Sequence, residues 1–244
     1  MKIFVSATFN DMSKIAFDSV SDLVRNKIHP LICPASGDSP AGLYKEMVTA
    51  CRDNKINFAD WNFVGLDEWV GMNETDNGSC RYHLNQQLFE PLKIQPQKIC
   101  FFNGRAGDLD GECSKVEEFI ERNGGIDVAI IGIGLNGHIG MNEPGTSPQS
   151  RSHIAAIDPI TQQVGQKYFT EAKQLTTGLT LGIANILAAK NVILLVGGKH
   201  KASIIKQALE GEPTIDLPAS LLQKHPSFFV FLDEEAASLL NKTI

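Results

Sequence analysis

Two kinds of hydrophobic pattern alternate along this chain. Short apolar runs at residues 31–33, 128–133, 192–196 and 228–232 are typical of strands buried on both faces of a parallel sheet. Between these runs, apolar residues recur at helical spacing, as over residues 11–28. The alternation predicts an α/β fold with a three-layer, Rossmann-like architecture, in which an open, mostly parallel sheet carries helices on both faces.

The remaining segments extend the same alternation. No internal repeat or linker interrupts it, so residues 1–244 are expected to form a single domain. Further strands are predicted at residues 60–66, 98–102 and 153–157, and a strand or turn at 177–182. Further helices are predicted at residues 41–54, 80–89, 110–123, 159–170, 183–189, 202–209, 217–225 and 233–241.

Composition narrows the classes of function. The chain has 244 residues, of which 43% are hydrophobic and 20% are charged, as is ordinary for a globular protein. Its net charge of −6 disfavours non-specific binding to nucleic acid. Five cysteines without CxxC spacing indicate a reduced, cytoplasmic chain rather than a disulfide framework or a zinc site. With no signal peptide and no apolar run long enough to span a bilayer, no membrane partner is expected.

One glycine-rich loop concentrates groups that can transfer protons. It follows the run at 128–133 and holds Asn136, His138, Asn142 and Glu143. Ligands of open α/β sheets gather at the carboxyl ends of such strands. A histidine moves protons near neutral pH when a partner such as Glu143 fixes its tautomer, although backbone carbonyls in a tight turn could also satisfy the ring. The density of glycines favours a functional loop, and one histidine without a second ligand predicts no metal.

A second loop opens a helix with small polar residues. Ser36, Gly37, Asp38 and Ser39 precede Pro40, which suits the first turn of a helix. Backbone N–H groups and hydroxyls at a helix N-terminus form an anion site. The same residues suit an ordinary serine cap on a Gly-Asp turn, and the charge of Asp38 counts against an anion. Both interpretations stay open at this point.

Two further loops complete the candidate chemistry. Asp67 and Glu68 follow a predicted strand and point to opposite sides, so one carboxylate can act as a base while the other is structural. An aspartate that only caps the next turn fits the same position. The loop at 197–201 follows the run at 192–196 and holds Lys199 and Lys201, and a lysine at such a strand end suits a phosphate, unless it is simply solvated. The loops together predict a small phosphorylated substrate and proton transfer, but they name neither the sugar nor the reaction.

Four motifs resemble the glucosamine-6-phosphate deaminase/isomerase family, and the resemblance covers nearly the whole chain. The motifs are SGDSP at 36–40, LDEWVG at 66–71, GIGLNGHIGMNEPG at 132–145 and SLLQKHP at 220–226. The third is long and specific. The galactosamine-6-phosphate branch looks closer at residues 67–70, 165–169 and 217–222. The resemblance implies an aldose–ketose isomerisation coupled to loss of ammonia, with a ketohexose 6-phosphate as product and no metal or organic cofactor.

The resemblance also implies roles for individual residues. Asp67 matches the base that moves a proton between C2 and C1, and His138 matches the group that assists ring opening while Glu143 orients it. Asn136 belongs to the same catalytic set, where some members carry an Asp that joins a charged relay. The substrate phosphate is expected on Ser36, Gly37, Asp38, Ser39, Lys167 and Lys201.

Several departures from the family pattern qualify these expectations. Asn136 carries no charge, so an Asp-dependent relay cannot operate here. Lys167 stands where Arg is frequent and lacks its bidentate fork, and Asp38 stands where Gly is more usual. Basic residues of an allosteric site are not matched at His153 and Ala155, so hyperbolic kinetics are expected. The expected partner is a small phosphorylated amino sugar, and self-association into a homo-oligomer stays open.

Two other functions fit parts of the sequence. A 6-phosphogluconolactonase-type hydrolase is similar in fold and carries a related Gly-His loop, but it has no need of the segments 142–144 and 67–70. A non-catalytic sugar-phosphate-binding protein is the second alternative, and the presence of Asp67, His138 and Glu143 argues against it. An assay that compares ammonia release with lactone hydrolysis distinguishes a deaminase from a 6-phosphogluconolactonase.

Overall fold

Strands and helices alternate along most of the protein, whose computed structural model describes residues 1–241. Within those residues the strands are β1 (Lys2–Ser6), β2 (Leu31–Pro34), β3 (Asn62–Val64), β4 (Asp67–Trp69), β5 (Ile99–Cys100), β6 (Val128–Ile131), β7 (His153–Ala156), β8 (Thr177–Thr180), β9 (Val192–Val196) and β10 (Phe228–Asp233). The α-helices are α1 (Phe9–Val24), α2 (Ala41–Arg52), α3 (Cys80–Leu84), α4 (Leu109–Arg122), α5 (Pro159–Gly165), α6 (Ile183–Leu187) and α7 (Ala202–Glu210). A π-helical turn (Asn85–Phe89) extends α3, and short 3-10 helices lie at Pro96–Lys98, Gln166–Tyr168, Lys199–Lys201 and Pro218–Lys224.

Seven strands form one parallel sheet in the order β1-β10-β9-β6-β2-β3-β5. The chain builds outward from β2 through β3 to β5, and then from β6 through β9 to β10 on the other side. The strand order therefore reverses between β2 and β6, which pair directly with Ile32 opposite Val128. Ligands of open α/β sheets bind at the carboxyl ends of such a pair. The glycine-rich loop and the 36–40 loop both leave the sheet at this point.

Helices cover both faces of the sheet. Alternate strand residues point to opposite faces, so Ile32 and Ile130 pack with α1 and α2, whereas Cys33 and Ile131 pack with α4 and α7. This is the three-layer arrangement that the hydrophobic pattern predicts. The helices contribute fully buried side chains to the two cores, namely Met12, Ala16, Val20, Leu43, Val116, Ile205 and Ala208.

A small antiparallel sheet of β4, β8 and β7 accompanies the main sheet. After β3 the Gly65 N–H still donates to the Cys100 carbonyl, and the chain then leaves the main sheet. Asp67 consequently begins a new strand opposite Thr180. The hydrophobic pattern predicts a strand over 60–66 with the two carboxylates in the loop beyond it. Pairing with the distant β8, which local sequence does not reveal, makes that loop a strand.

Two terminal elements differ from the predicted ones. The pattern does not predict β1, because its edge position leaves Val5 52% exposed. The helix predicted at 233–241 is wrong, since residues 234–239 form isolated turns. The Asp233 carboxylate accepts from the N–H groups of Gly198 and Ala236 and so draws this segment onto the loop after β9. Across residues 1–241, no helix combines the length and the apolar character needed to cross a membrane.

Candidate active site

A cavity of about 620 Å³ opens at the carboxyl end of the main sheet. Loops after β2, β6 and β9, the start of β4 and the α5 segment form its wall. Glu143 and Asn136 lie behind His138 and are not among the described residues that line it. Residues 1–241 contain no cluster of three or more His, Cys, Asp or Glu side chains that could hold a metal ion. The other site residues expected from sequence do line the cavity, namely Ser36, Gly37, Asp38, Ser39, Asp67, His138, Lys167 and Lys201.

Asp67 is a buried carboxyl group that faces the cavity. It is 9% exposed and pairs with Thr180 across the small sheet. Burial raises its pKa from 3.8 to about 6, while the Cys80 thiol and the charge of His138 oppose the rise. A carboxylate with a pKa near neutrality is ionised at working pH and still binds a proton well enough to pass it on. This position suits a general base.

Glu68 points to the other side of β4 and ties that strand to α3. It is fully buried; Oε1 accepts from the N–H groups of Trp69 at 2.8 Å and Cys80 at 3.0 Å, and Oε2 accepts from Arg81 N–H at 3.0 Å. Burial raises the pKa of Glu68 to about 7, against the effect of these hydrogen bonds. The adjacent carboxylates thus point to opposite sides of β4, as strand alternation predicts. Asp67 faces the cavity, and Glu68 is buried and binds backbone N–H groups.

Asn136 links His138 to Glu143. His138 Nδ1 lies 2.7 Å from Asn136 Oδ1, and Asn136 Nδ2 donates to Glu143 Oε2 at 2.7 Å. The direct distance from His138 Nδ1 to Glu143 Oε2 is longer, at 3.4 Å. Because an amide oxygen only accepts hydrogen bonds, we assign the His138 proton to Nδ1, which leaves the lone pair of Nε2 to act on a ligand. A neutral asparagine therefore fixes the tautomer.

Glu143 supports this arrangement from behind. It is 8% exposed and accepts from Asp158 N–H at 3.3 Å, and the Thr161 hydroxyl lies 3.0 Å from His138 Nδ1. Burial opposes ionisation of Glu143, but hydrogen bonds from His138, Asn136 and Thr161 and the charge of His138 together lower its pKa. The ionised carboxylate can stabilise the positive charge that His138 acquires when it takes up a proton.

Gly134 makes room for the imidazole. A Cβ atom at this position would lie 2.1 Å from the His138 ring, a distance that no side chain tolerates. A larger residue would therefore displace the ring from the cavity wall. The close approach explains one glycine of the loop in functional terms.

The 36–39 loop presents its polar groups to the cavity. Helix α2 starts directly after it with Pro40 at the N-cap, and no side chain makes a capping hydrogen bond there. The hydroxyls of Ser36 and Ser39 are thus not used as caps. Gly37 has φ +96°, in the left-handed region that other residues avoid, and so turns the loop. Loop hydroxyls and first-turn N–H groups form a surface suited to an anion.

Lys201 supplies a cation at this end of the cavity. Its ammonium donates to the Ile133 carbonyl at 2.6 Å. Burial, and then repulsion from Lys167, lowers the pKa of Lys201 from 10.5 to about 8. It is therefore charged at neutral pH while its contact is a neutral carbonyl, a condition that favours an anionic ligand.

Lys167 reaches the same end of the cavity from beyond α5. Its ammonium lies 2.6 Å from Asp38 Oδ2 and 4.8 Å from the centre of the Tyr168 ring. Asp38 thereby engages one of the cations that the sequence assigns to phosphate. The two side chains are 50% and 72% exposed, so the pair is weak enough for a dianion to displace.

Several cavity residues escape the sequence analysis. Cys80, His83 and Thr161 are among them, whereas Tyr168 lies in the segment 165–169 named above. Tyr168 packs edge-on against His83 with 5.1 Å between ring centres and closes one wall. Cys80, His83 and Thr161 do not belong to a glycine-rich strand end, which is the signal that identifies the other loops. The one local clue is Ser79, whose hydroxyl caps the start of α3.

The chain is similar to known proteins along nearly its whole length. A family model described as glucosamine-6-phosphate isomerases/6-phosphogluconolactonase matches residues 10–230. Glucosamine-6-phosphate deaminase 1 of Bacillus subtilis is 35% identical over 240 residues, which cover 98% of this chain and 99% of that protein. The glucosamine-6-phosphate deaminase of Thermoanaerobacter pseudethanolicus is 34% identical over 241 residues, covering 98% and 95%.

Solved structures extend this similarity. A monomeric glucosamine-6-phosphate deaminase has a TM-score of 0.94 at 35% identity and covers 98% of this chain and 100% of its own. The 6-phosphogluconolactonase of Trypanosoma brucei has a TM-score of 0.76 at 19% identity and covers 98% of each chain. The second likeness concerns the fold alone.

Proposed function

This chain belongs to the family of glucosamine-6-phosphate isomerases and 6-phosphogluconolactonases, and from that premise we propose that it is a hexosamine-6-phosphate deaminase. The reaction converts an amino-sugar 6-phosphate and water into a ketohexose 6-phosphate and ammonia. The deaminases named above support it, since they match this chain at 34% and 35% identity over nearly its full length. The observation that carries the proposal is a buried carboxyl of pKa about 6 in one cavity with a tautomer-fixed histidine and two lysines.

The cationic end of the cavity anchors the substrate phosphate in this proposal. Lys201, the serine hydroxyls of the 36–39 loop and the first-turn N–H groups of α2 bind its oxygens. Lys167 joins them when it leaves Asp38. An anchored phosphate holds the sugar in one orientation, so that C1 and C2 lie near Asp67 and His138.

Proton transfers then follow from the two acid–base groups. His138 Nε2 carries a proton from the O1 hydroxyl to the ring oxygen, which opens the sugar, while Glu143 stabilises the protonated ring through Asn136. Asp67 removes the C2 proton and returns it to C1. One proton of the substrate ammonium passes to the C1 oxygen, which leaves an iminium at C2. Water adds to that carbon, the ketone forms, and the nitrogen leaves as ammonium, so atoms and charge balance.

We further propose that galactosamine 6-phosphate is the preferred substrate. The support is the likeness of residues 67–70, 165–169 and 217–222 to the galactosamine branch. Trp69, Lys167 and Tyr168 of these segments line the cavity. The two amino sugars differ only in configuration at C4, so the wall that meets C4 decides between them.

An ammonia-release assay tests both proposals. Purified protein is given glucosamine 6-phosphate, galactosamine 6-phosphate and, in a separate hydrolysis assay, 6-phosphogluconolactone. We expect ammonia from both amino sugars, a higher kcat/KM for the galactosamine form and no lactone hydrolysis above background. Lactone hydrolysis without ammonia release would make the protein a lactonase instead.

Lys201→Ala is expected to raise the KM for hexosamine 6-phosphate by about 10- to 100-fold with a smaller change in kcat. The reason is loss of a charge-assisted hydrogen bond worth about 1.5–3 kcal/mol. In the wild type, kcat/KM should also fall as pH rises through about 8, because the free lysine then loses its charge. Lys199→Ala is the matched control, since Lys199 is an exposed cation two positions away that is not among the described cavity-lining residues. Equal KM values in the two variants would remove Lys201 from the phosphate site.

Asp38→Asn is expected to lower the KM for hexosamine 6-phosphate by about threefold to tenfold. The asparagine frees Lys167 and removes a negative charge beside the incoming dianion, an effect in the range of weak exposed ion pairs. Steady-state kinetics measure the change, and competitive inhibition by inorganic phosphate should strengthen in parallel. In a Lys167→Met background the gain from Asp38→Asn should shrink. A KM that rises instead would show that Asp38 helps binding, for instance by orienting Lys167.

A further inference from the structure

The Thr161 hydroxyl reaches the His138 ring from a different element of the fold. Thr161 lies on α5, is 9% exposed and lines the cavity. Its Oγ1 lies 3.0 Å from His138 Nδ1, which is a hydrogen-bonding distance. Two polar groups therefore meet the same ring nitrogen. Asn136 comes from the loop of His138 itself, and Thr161 comes from a helix 23 positions further along the chain.

The direction of this hydrogen bond follows from the groups involved. Asn136 Oδ1 lies 2.7 Å from His138 Nδ1 and only accepts, so Nδ1 carries the proton. A hydroxyl can donate or accept. Because it faces a protonated nitrogen, the Thr161 hydroxyl oxygen accepts. The Nδ1 proton is thus shared between an amide oxygen and a hydroxyl oxygen.

The first turn of α5 is fixed on the same group of side chains. Asp158, which caps α5, donates its own N–H to Glu143 Oε1 at 3.3 Å, and its carboxylate accepts from Ile160 N–H at 2.8 Å. Threonine is branched at Cβ, so its side chain has few rotamers on a helix. Because Thr161 is also buried, its hydroxyl has little freedom to move away from the His138 ring.

We propose that Thr161 is a positioning residue, whose hydroxyl accepts from His138 Nδ1–H and holds the imidazole with Nε2 toward the substrate. The role in catalysis rests on the proposed deaminase function, whereas the contact itself does not. A single acceptor would let the ring swing about one hydrogen bond, and a second acceptor from another direction restricts that motion. Because Asn136 and Thr161 lie on separate elements, the packing of α5 on the glycine-rich loop sets the orientation of the ring.

The first test follows the His138 ring in the free protein. Labelling with ¹⁵N-histidine reports both ring nitrogens and the Nδ1 proton by NMR at one fixed pH, and His138→Gln identifies the signals. Thr161→Val keeps the shape of the side chain and removes the acceptor. We expect it to lower the chemical shift of the Nδ1 proton and to speed the exchange of that proton with water. Thr161→Ser should restore both values, since serine keeps the hydroxyl.

The second test is catalytic. Thr161→Val should lower kcat for hexosamine 6-phosphate by about threefold to tenfold, the effect of one hydrogen bond between uncharged groups, and leave KM within about twofold of the wild type. Thr161→Ser should restore most of the rate. Thr161→Ala also removes the hydroxyl, should behave as the valine variant does and replaces it if that variant does not fold.

Thr49→Val is the matched control. Thr49 is a partly exposed helix residue on α2 whose hydroxyl donates to the Lys45 carbonyl, and it is not among the described cavity-lining residues. The same substitution there should leave the His138 signals and kcat unchanged.

Two results would overturn the inference. One is a set of His138 signals that stays unchanged in both Thr161→Val and Thr161→Ala. The other is a raised KM at unchanged kcat, which would make Thr161 a substrate contact. Absence of ammonia release by the wild type would overturn the proposed function instead, and the NMR measurement would still decide the contact.

Discussion

Replacement of Asp67 by asparagine is expected to lower kcat by about 10²- to 10⁴-fold and to leave KM within about threefold of the wild type. The amide keeps the size and most hydrogen bonds of the carboxylate but cannot accept the C2 proton. Binding of the phosphate at the other end of the cavity should be unaffected. Ammonia release at saturating substrate, well above the Asp67 pKa of about 6, measures the effect.

Asp60→Asn is the control for this substitution, because it makes the same chemical change on an exposed aspartate outside the cavity. Its kcat should match the wild type. An Asp67→Asn enzyme with unchanged turnover would refute the role of Asp67 as the base. A large rise in KM would instead make it a binding group.

The same variant should also reveal what the base costs the fold. In the folded state the pKa of Asp67 is about 6, above its ordinary 3.8, so the ionised form is destabilising. This loss of stability is absent when the pH is below the pKa of Asp67 in the unfolded chain. It reaches its full size once the pH exceeds the pKa of Asp67 in the folded protein. Above pH 6, Asp67→Asn should therefore unfold at the same or a higher urea concentration than the wild type. Loss of stability in the variant would contradict this account.

Glu68→Ala is expected to lower the free energy of unfolding by about 3 kcal/mol or more. It leaves the three N–H groups of Trp69, Cys80 and Arg81 without their acceptor, and each buried unsatisfied donor costs about 1–3 kcal/mol. Urea unfolding should show a lower midpoint with an unchanged slope.

An exposed glutamate provides the comparison for Glu68. Glu118 lies on the solvent side of α4, and Glu118→Ala should change the unfolding free energy by no more than about 0.5 kcal/mol. If Glu68→Ala and Glu118→Ala changed the free energy of unfolding by the same amount, the hydrogen bonds that link β4 to α3 through Glu68 would not contribute to stability. Substitutions of the neighbouring residues Asp67 and Glu68 should therefore have different effects. Loss of the Asp67 carboxylate should lower turnover, and loss of the Glu68 carboxylate should lower stability.

Much of the site can be predicted from sequence because its parts occupy strand ends. Asp67, His138 and Lys201 each follow an apolar run, and parallel strands bring their carboxyl ends to one edge of a sheet. Strand alternation also predicts that Asp67 and Glu68 diverge, which the structure bears out. Local pattern is sufficient in these cases because the relevant geometry is a property of a single strand and its loop.

Other features depend on distant partners and have no local signal. From sequence, Asn136 lacks the charge that an Asp-dependent relay needs. In the structure, its amide lies between His138 and Glu143 and makes a hydrogen bond with each. Asp38 pairs with a lysine from a segment far along the chain. Contacts of this kind depend on how loops fold over the cavity, which hydrophobic periodicity does not encode.

The sequence by itself determined the α/β class, the strand-end loops and the family, because buried runs, glycine turns and motif order are readable one segment at a time. Only the tertiary structure decided which groups meet. It turned the loop after β3 into a strand of a second sheet, directed the 36–39 hydroxyls to the cavity and placed Asn136 between His138 and Glu143. The physical reason is that pKa values and hydrogen-bond partners depend on burial and on neighbours distant in the chain, and folding alone supplies both.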